Sequence, residues 1–338
     1  MAAAICKIGE SFTGRLGIYT LTKQLQECVW LGSSNQNQEP IIFNAVRHFR
    51  LQNERDVLLR FQHRTPSIRP LLDEIENPQA LILKYLDDDL LHASHTKGLN
   101  RLELKYVARH VLEALDRLHS DGFVHTGDIK PSNVLVNNVK DGTIRFKDVQ
   151  VGDFGSTVSQ DSPYALNGDP IGTPMFRSPE AHIQMRWGTA TDIWSFGAML
   201  ISLMYGGGFH IFKPDVPADH DEYDIKILMK HHQCFGPFPI SYEEIANQDQ
   251  LAALTWVMDN CPKTTLKPFR FTTEREISRE DRMFIYKIMK MDPRDRPSAR
   301  ELLTDAWLSE DYLVDFSLPS VYCPLPISPP PTQHRKPK

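Results

Sequence analysis

The sequence predicts an α+β fold in which strands dominate the first quarter of the chain and helices most of the remainder. Apolar and polar residues alternate over residues 19–29, and short apolar runs at residues 41–46 and 80–86 indicate two more strands. Residues 101–119 instead carry leucines and valines at helical spacing. With 338 residues, 41% of them hydrophobic, the chain is long enough to bury a large core.

The first 61 residues are interpreted as a leader, two strands and a helix. Residues 1–18 are expected to be irregular, and their apolar run is too short for a signal peptide. A polar turn at residues 32–40 separates the first strand from residues 41–46, which are interpreted as a second or third strand. Residues 50–61 are predicted to be helical because apolar side chains fall on one side, namely Leu51, Val57, Leu58 and Phe61.

The later elements are marked by composition. Three aspartates at residues 87–89 follow the strand at residues 80–86 and are expected to form a hinge. Residues 137–142 contain an Asp-Gly pair, which is typical of the turn in a β-hairpin. Residues 191–205 are apolar almost all round, as in a buried helix. The proline-rich residues after about Phe316 predict a flexible tail.

Charge and cysteine usage narrow the class of protein. The net charge of −5 provides no basic surface for nucleic acid. Five cysteines, odd in number and without metal spacing, indicate reduced thiols inside a cell. No apolar run approaches membrane-spanning length. We therefore expect a soluble cytoplasmic or nuclear protein with no nucleic-acid or membrane partner, and the sequence does not indicate its oligomeric state.

Polar residues occur at fixed intervals between residues 125 and 155. His125 is followed by Asp128, Lys130 and Asn133, and an Asp-Phe-Gly triplet begins at Asp153. Any one of these could be a turn or capping residue. Their order and spacing together resemble the protein-kinase family, whose pattern is H-R-D-L-K-x-x-N followed by D-F-G.

The resemblance implies phosphoryl transfer from ATP to a protein substrate. This chemistry requires a positioned acceptor hydroxyl and neutralised phosphate charge. By the resemblance, Asp128 accepts the hydroxyl proton and Lys130 is a cation beside the transferred group. Asn133 and Asp153 would hold Mg²⁺, which prefers oxygen ligands.

The acceptor class also follows from the resemblance. Lys130, two residues after Asp128, and Thr173 in a Gly-Thr-Pro sequence resemble the serine/threonine branch of the family. Thr173 is expected to bond to Asp128 and to close the site around a slim aliphatic hydroxyl. The alternative for Thr173 is a simple turn residue before Pro174.

Three further segments continue the resemblance in the family's order. Residues 172–180 resemble the end of an activation segment, and residues 191–197 resemble the central helix of the larger lobe. Residues 291–297 resemble a late segment whose arginine pairs with a glutamate of the activation segment. We therefore expect an ion pair between Glu180 and Arg296.

The resemblance covers about residues 19–310 and implies a bilobal protein-kinase-like fold. A small β-rich N-lobe would comprise residues 19–86, and a larger, mainly helical C-lobe would comprise residues 87–312. Residues 313–338 would form the flexible tail.

The nucleotide is expected to bind between the lobes. Adenine would lie between Ile42 above and Leu135 below, near a hinge that includes Lys84 and Leu86. A helix glutamate of the family corresponds to Glu54. The residues implied to bind or support the nucleotide are Ile42, Asn44, Glu54, Lys84, Leu86 and Leu135.

Two departures affect this nucleotide site. The family's glycine-rich loop lets backbone N–H groups approach the phosphates. Here only Gly32 is a glycine, and Glu27 brings negative charge. The strand lysine of the family is also missing, because its position is occupied by Asn44, an amide that cannot neutralise phosphate. Three basic residues are candidate replacements: Lys23, Arg47 and His48.

A third departure lies in the catalytic loop. Thr126 and Gly127 stand between His125 and Asp128, where the family has a single arginine. Either one residue is inserted, or Thr126 takes the histidine position and Gly127 the arginine position. Without that arginine, a phosphate on the activation segment has less to bind, so activity should not require phosphorylation there.

Two functions remain open from the sequence. The first is a serine/threonine kinase with an atypical grip on the nucleotide. The alternative is a pseudokinase that acts as a binding or scaffold module. One lost charge contact costs about 2.7–4 kcal/mol, by analogy with a lost oxyanion donor, which slows an enzyme rather than abolishing it. Asp128, Lys130, Asn133 and Asp153 are all present, which favours the kinase.

Overall fold

A six-stranded antiparallel sheet with one helix is followed along the chain by a larger helical lobe, which confirms the predicted α+β bilobal fold. The computed structural model describes residues 6–46, 48–139 and 142–309. The sheet strands lie in the order β1-β2-β3-β4-β6-β5. They are β1 (Ser11–Thr13), β2 (Ile18–Gln26), β3 (Val29–Ser34), β4 (Pro40–Asn44), β5 (Leu71–Ile75) and β6 (Ala80–Lys84).

The leader differs from its prediction, because it contains β1 and the first residue of β2. Strand β1 pairs with the start of β2, and its Phe12 ring lies 5.0 Å from Phe43. The Asp73 carboxylate accepts a 2.8 Å hydrogen bond from the Leu16 N–H and a 3.0 Å bond from the Tyr19 hydroxyl. These contacts come from strands distant in sequence, so local patterning could not indicate β1.

The first predicted strand is a hairpin, and the predicted turn at residues 32–40 is shorter than expected. Strands β2 and β3 meet at a two-residue turn, Glu27 and Cys28. Gly32 belongs to β3, where it pairs with Leu21 and Ile41. A β-carbon at Gly32 would lie 2.8 Å from the Thr20 carbonyl oxygen. The glycine is therefore needed for close strand packing and does not lie at the turn.

Alternation along β4 separates the two faces of the sheet. Ile41 and Phe43 join an apolar cluster on one face, whereas Ile42 belongs to the main core. Asn44, two residues after Ile42, lies on the same face as Ile42. Helix α1 (Phe49–Phe61) contributes its buried residues to that core, so Asn44 lies on the face that meets α1.

The helical lobe is built around two long helices. Helix α3 (Arg101–His119) starts with a capping box between Asn100 and Glu103 and matches its predicted bounds. Helix α6 (Ala190–Tyr205) is buried along nearly its whole length. The other helices are α2 (Leu90–Thr96), α4 (Pro163–Asn167), α5 (Pro179–His182), α7 (Tyr223–Phe235), α8 (Gln248–Asp259), α9 (Arg279–Ile288), α10 (Ala299–Leu303) and α11 (Ala306–Ser309).

Short strands carry the polar motifs of this lobe. Strand β7 (Asp88–Asp89) pairs with β9 (Val134–Asn138), and β9 pairs with β10 (Phe146–Val151), which confirms the predicted hairpin. Strands β8 (Phe123–Val124) and β11 (Val158–Ser159) form a two-stranded sheet. Two of the three hinge aspartates therefore lie in β7, and Asp89 also caps α2.

The sequence predicts a flexible C-terminal tail and no membrane-spanning segment. The predicted flexible tail at residues 313–338 lies outside the described residues. Within the described parts of the chain, no helix has both the length and the apolar character needed to cross a bilayer.

Candidate active site

Asp128, Lys130 and Thr173 form a closed set of contacts. The Thr173 hydroxyl donates a 2.8 Å hydrogen bond to Oδ1 of Asp128. The Lys130 ammonium lies 2.9 Å from the same carboxylate oxygen and donates a 2.8 Å bond to the Thr173 hydroxyl oxygen. The short 3-10 helix after Lys130 and a second one after Thr173 hold both residues at segment ends. The predicted contact between Thr173 and Asp128 is therefore present.

The Asp128 carboxylate is held in its ionised form. Burial alone would raise the pKa of Asp128, but the Lys130 ammonium and the Thr173 hydroxyl together lower it below the usual value for aspartate. A group held in this way can receive a hydrogen bond from an acceptor hydroxyl at neutral pH.

Asn133 and Asp153 lie next to this set. The Asn133 amide nitrogen donates to the backbone carbonyl of Asp128 at 3.0 Å and to its Oδ2 at 3.1 Å. The Gly152 N–H donates a 2.9 Å bond to the Asn133 carbonyl, which fixes the start of the Asp-Phe-Gly triplet. Asp153 itself has a positive φ of 59°, an unusual backbone conformation for a residue other than glycine. The motif residues are therefore joined through backbone as well as side chains.

His125 contacts the Asp-Phe-Gly segment directly. Its Nε2 donates a 3.1 Å hydrogen bond to the Gly152 carbonyl, and its ring lies edge-on to Phe154 at 5.1 Å. These contacts favour His125 over Thr126 for the histidine position, with one residue inserted before Asp128.

The inserted residue is accommodated by two left-handed backbone conformations. Thr126 has φ 72° and Gly127 has φ 62°. The buried Asp192 carboxylate of α6 accepts the N–H groups of His125 at 2.7 Å and of Gly127 at 2.9 Å. It also bonds to the His119 ring at 3.0 Å. Asp192 thus anchors the loop on the central helix.

Asn44 and Glu54 are partners across the strand and the helix. The Asn44 amide donates a 3.2 Å hydrogen bond to Oε2 of Glu54. Burial and the nearby Asp153 carboxylate raise the pKa of Glu54 to about 7, against the opposing effect of Arg69. The amide therefore reaches the glutamate but brings no charge to the site.

Of the candidate replacements for the strand lysine, His48 is used elsewhere. It caps α1 by accepting the Arg50 N–H with its Nδ1. Lys23 is exposed on β2 opposite Leu31. Arg47 lies outside the described residues.

The predicted adenine contacts lie at the junction of the lobes. Ile42 is buried on β4, and Leu135 lies on β9 across the junction. The side chain of Lys84 turns to Asp148 of β10, 3.4 Å away. Its backbone N–H donates to the Pro70 carbonyl and its own carbonyl accepts from Arg69, so, contrary to the prediction, neither backbone group of Lys84 is free for a base. Among the described residues, neither backbone group of the buried Leu86 has a backbone hydrogen-bond partner. These groups are therefore open to a ligand.

Two further residues of this region were not predicted from the sequence. The Asn53 amide on α1 donates to the carbonyls of Phe154, Gly155 and Thr157 at 3.4, 3.1 and 2.8 Å. Arg69, in the segment between α1 and β5, acts electrostatically on both Glu54 and Asp153. For Arg69, the available signal was a single cation within the otherwise apolar residues 68–72.

Comparison with known proteins agrees with this geometry. Residues 43–308, well over half of the chain, match the protein kinase domain family. The chain therefore belongs to the protein kinase domain family.

Curated relatives and a solved structure extend the comparison. Cyclin-dependent kinase 12 of Caenorhabditis elegans is 26% identical over 320 residues, covering 86% of this chain and 40% of the relative. The CTD kinase subunit alpha of Schizosaccharomyces pombe is 26% identical over 283 residues, covering 79% and 44%. A serine/threonine protein kinase of Aspergillus fumigatus is 28% identical over 277 residues, covering 71% and 69%. The chain thus spans about two fifths of the length of the first two relatives.

The structural likeness supports the fold. A crystallised kinase domain superimposes with a TM-score of 0.66 at 20% identity, covering 90% of this chain and 98% of that one.

Proposed function

We propose that this chain transfers the γ-phosphoryl group of ATP to serine or threonine hydroxyls of a protein substrate. The observation that carries the proposal is the closed contact set of Asp128, Lys130 and Thr173, with Asn133 bonded to the same aspartate. An ionised carboxylate beside a fixed ammonium group is suited to orienting a hydroxyl next to a transferring phosphoryl group.

In the proposed reaction, Asp128 orients the acceptor hydroxyl and accepts its proton. The hydroxyl oxygen forms a bond to the γ-phosphorus as the bond from phosphorus to the β,γ-bridging oxygen breaks, and ADP leaves. Lys130 stabilises the negative charge of the transferring group. Thr173 holds the carboxylate in place and narrows the space available for the acceptor, which favours an aliphatic hydroxyl.

Asn133 and Asp153 fit a Mg²⁺ ion by the chemistry of their donor atoms. The Asn133 amide nitrogen is used in bonding to Asp128, which leaves its amide oxygen as an acceptor. Asp153 contributes carboxylate oxygens. The ion, when bound, neutralises phosphate charge.

The base of the nucleotide would lie between Ile42 and Leu135 and bond to the backbone of Leu86. Glu54 and Asn44 would support this site from the helix and the strand. We also propose that the protein works in the cytoplasm or nucleus, since the four cysteines of the described residues are free thiols.

The alternative, a scaffold without turnover, rests on the missing strand lysine and the missing glycines of the phosphate loop. The connected contacts of Asp128 with Lys130, Thr173 and Asn133 support the enzyme over the scaffold.

The test compares wild type with three variants. Asp128→Asn removes the base, Asp153→Asn removes a metal ligand, and Asp259→Asn is a matched control at an exposed position of α8. Thermal shift with ATP and Mg²⁺ reports binding, and incorporation of radiolabelled phosphate into a generic basic substrate reports transfer.

We expect Asp128→Asn to bind the nucleotide but to lose about a hundred- to ten-thousandfold of transfer, the range for a lost general base. Asp153→Asn should lose the Mg²⁺-dependent stabilisation as well, and Asp259→Asn should resemble wild type. A folded wild-type protein with no incorporation would contradict the enzyme and support a scaffold.

A further inference from the structure

Arg69 lies at the inner end of the proposed nucleotide site. Its backbone N–H donates a 2.9 Å hydrogen bond to the carbonyl of Val151, the last residue of β10. Its Nε donates a 2.8 Å bond to the carbonyl of Lys84, the last residue of β6. The side chain therefore runs from the start of the Asp-Phe-Gly segment to the end of the strand before the hinge.

Along this path the side chain passes Gly152. A β-carbon on Gly152 would stand 3.7 Å from Cδ of Arg69 and 3.4 Å from Cδ1 of Leu135. Arg69 is therefore a neighbour of both the residue before Asp153 and the residue proposed to lie below the base.

Arg69 lies close enough to two carboxylates to interact with them electrostatically. The two described acidic groups that act on it are Glu54 and Asp153. Burial lowers the pKa of Arg69 to about 10, against the attraction of these carboxylates, so the guanidinium remains charged at neutral pH. Asn44 provides no charge here, since its amide is neutral.

The guanidinium also has unused donors. Of its nitrogen atoms, only Nε has a hydrogen-bond partner among the described residues. The side chain is only partly buried. Two charged N–H₂ groups thus remain available to a ligand, and charged donors form the stronger hydrogen bonds.

We propose that Arg69 supplies the positive charge of the nucleotide site that the strand position of Asn44 lacks. The phosphates of the nucleotide are the ligand, and Arg69 is a binding residue for them. The inference rests on the proposed function, because it assumes that ATP occupies this cleft. It assigns the replacement charge to the segment before β5, not to Lys23, Arg47 or His48.

The test measures which part of the nucleotide Arg69 binds. Dissociation constants for ATP, ADP and adenosine, all with Mg²⁺, are determined by calorimetry for wild type, Arg69→Met and Arg69→Lys. Arg64→Met is the matched control, because it removes an arginine whose partner is Asp121 on the surface.

We expect Arg69→Met to weaken ATP and ADP binding about ten- to a hundredfold, as for one lost hydrogen bond to a charged group, and adenosine binding less than twofold. Arg69→Lys should retain most of the affinity. In the double variant Asn44→Lys/Arg69→Met, the strand lysine should restore the ATP affinity. Arg64→Met should bind all three ligands as wild type does.

Equal losses for ATP and adenosine would overturn the inference, because they would limit Arg69 to supporting the Lys84 carbonyl. Unchanged affinities for both ligands would overturn it as well. If Arg69→Met does not fold, the ATP and adenosine affinities of Arg69→Gln are compared with those of Arg69→Lys, and the same outcomes support or overturn the inference.

The two proposals fail separately. A wild-type protein that binds ATP without transferring phosphate, and whose ATP affinity still depends on Arg69, would contradict the proposed function alone. This inference alone would be contradicted if the wild-type protein transfers phosphate and the ratio of ATP affinity to adenosine affinity is the same in Arg69→Met as in wild type. Absence of all nucleotide binding would contradict both.

Discussion

The Glu180 carboxylate and the Arg296 guanidinium form two parallel hydrogen bonds of 2.7 and 2.8 Å, and both side chains are fully buried. This confirms the ion pair predicted from the sequence. Arg296 also donates to the backbone carbonyls of Lys290, Ala190 and Met291. The pair therefore ties α5, at the end of the activation segment, to the start of α6 and to the segment after α9.

Removing one partner of this pair should destabilise the fold strongly. We expect Arg296→Met to lower the free energy of unfolding by about 3–5 kcal/mol, because the Glu180 charge is left buried without a partner. Urea unfolding measures the loss. The double variant Glu180→Gln/Arg296→Met should lose less than the two single variants added together. Additive losses would show that the two side chains stabilise the fold independently.

Removing the Thr173 hydroxyl should slow transfer without weakening ATP binding. Thr173→Val keeps the shape but loses the bonds to Asp128 and Lys130, so we expect kcat to fall about ten- to a hundredfold, the value of one hydrogen bond to a charged group. Thr173→Ser keeps the hydroxyl and should retain activity. Steady-state kinetics with varied ATP separates the effects, and a rise in KM for ATP at constant kcat would contradict this role.

Activity should not require phosphorylation of the activation segment. The Asn53 amide already holds three carbonyls of that segment, and Thr126 and Gly127 stand in place of the single arginine that would bind a phosphate. Phosphatase treatment should therefore leave the rate unchanged, as measured by phosphate incorporation. Asn53→Ala should lower the rate, whereas Gln52→Ala, at the exposed neighbouring position, should not. A rate abolished by phosphatase would refute the prediction.

His231 should make the protein sensitive to acid. Within the described residues neither ring nitrogen has a hydrogen-bond partner, and the ring packs against Phe212 at 4.3 Å and Trp194 at 4.9 Å. Burial, together with His182 and Arg296 nearby, lowers the pKa of His231 well below 6.5. The unfolded chain thus binds a proton that the folded protein does not, so stability is full above about pH 6.5 and falls as the pH drops below it.

The substitution His231→Phe tests this directly. The difference in Tm between pH 7 and pH 5 should shrink in this variant, because one proton-binding site of the unfolded chain is lost. It should not vanish, since burial also lowers the pKa of His182, to about 3. The exposed His63→Phe is the control and should leave the difference unchanged. An unaltered difference in His231→Phe would assign the acid sensitivity to other groups.

Whether a feature of this protein could be predicted from the sequence depends on how far apart in the chain its interacting residues lie. Asp128, Asn133 and Asp153 could be found because the proposed chemistry needs fixed residue types at fixed intervals. Helix α3 could be bounded because its cap and apolar stripe are local. The roles that Arg69 and Asn53 take could not be found, because they depend on α1, β10 and the Asp-Phe-Gly segment meeting in space. The same reason hid β1, which pairs with β2 and packs its Phe12 ring against Phe43 of β4.

The amide of Asn53 has one more consequence. The bonds that Asn53 makes to the activation segment are neutral hydrogen bonds, at 2.8 Å for the shortest, and they stand beside the Glu54 carboxylate of α1, which accepts a backbone hydrogen bond from Phe154. Salt screens attraction between exposed charges but has little effect on bonds between neutral groups. The three bonds of Asn53 should therefore hold the activation segment against α1 equally well in dilute and in concentrated salt.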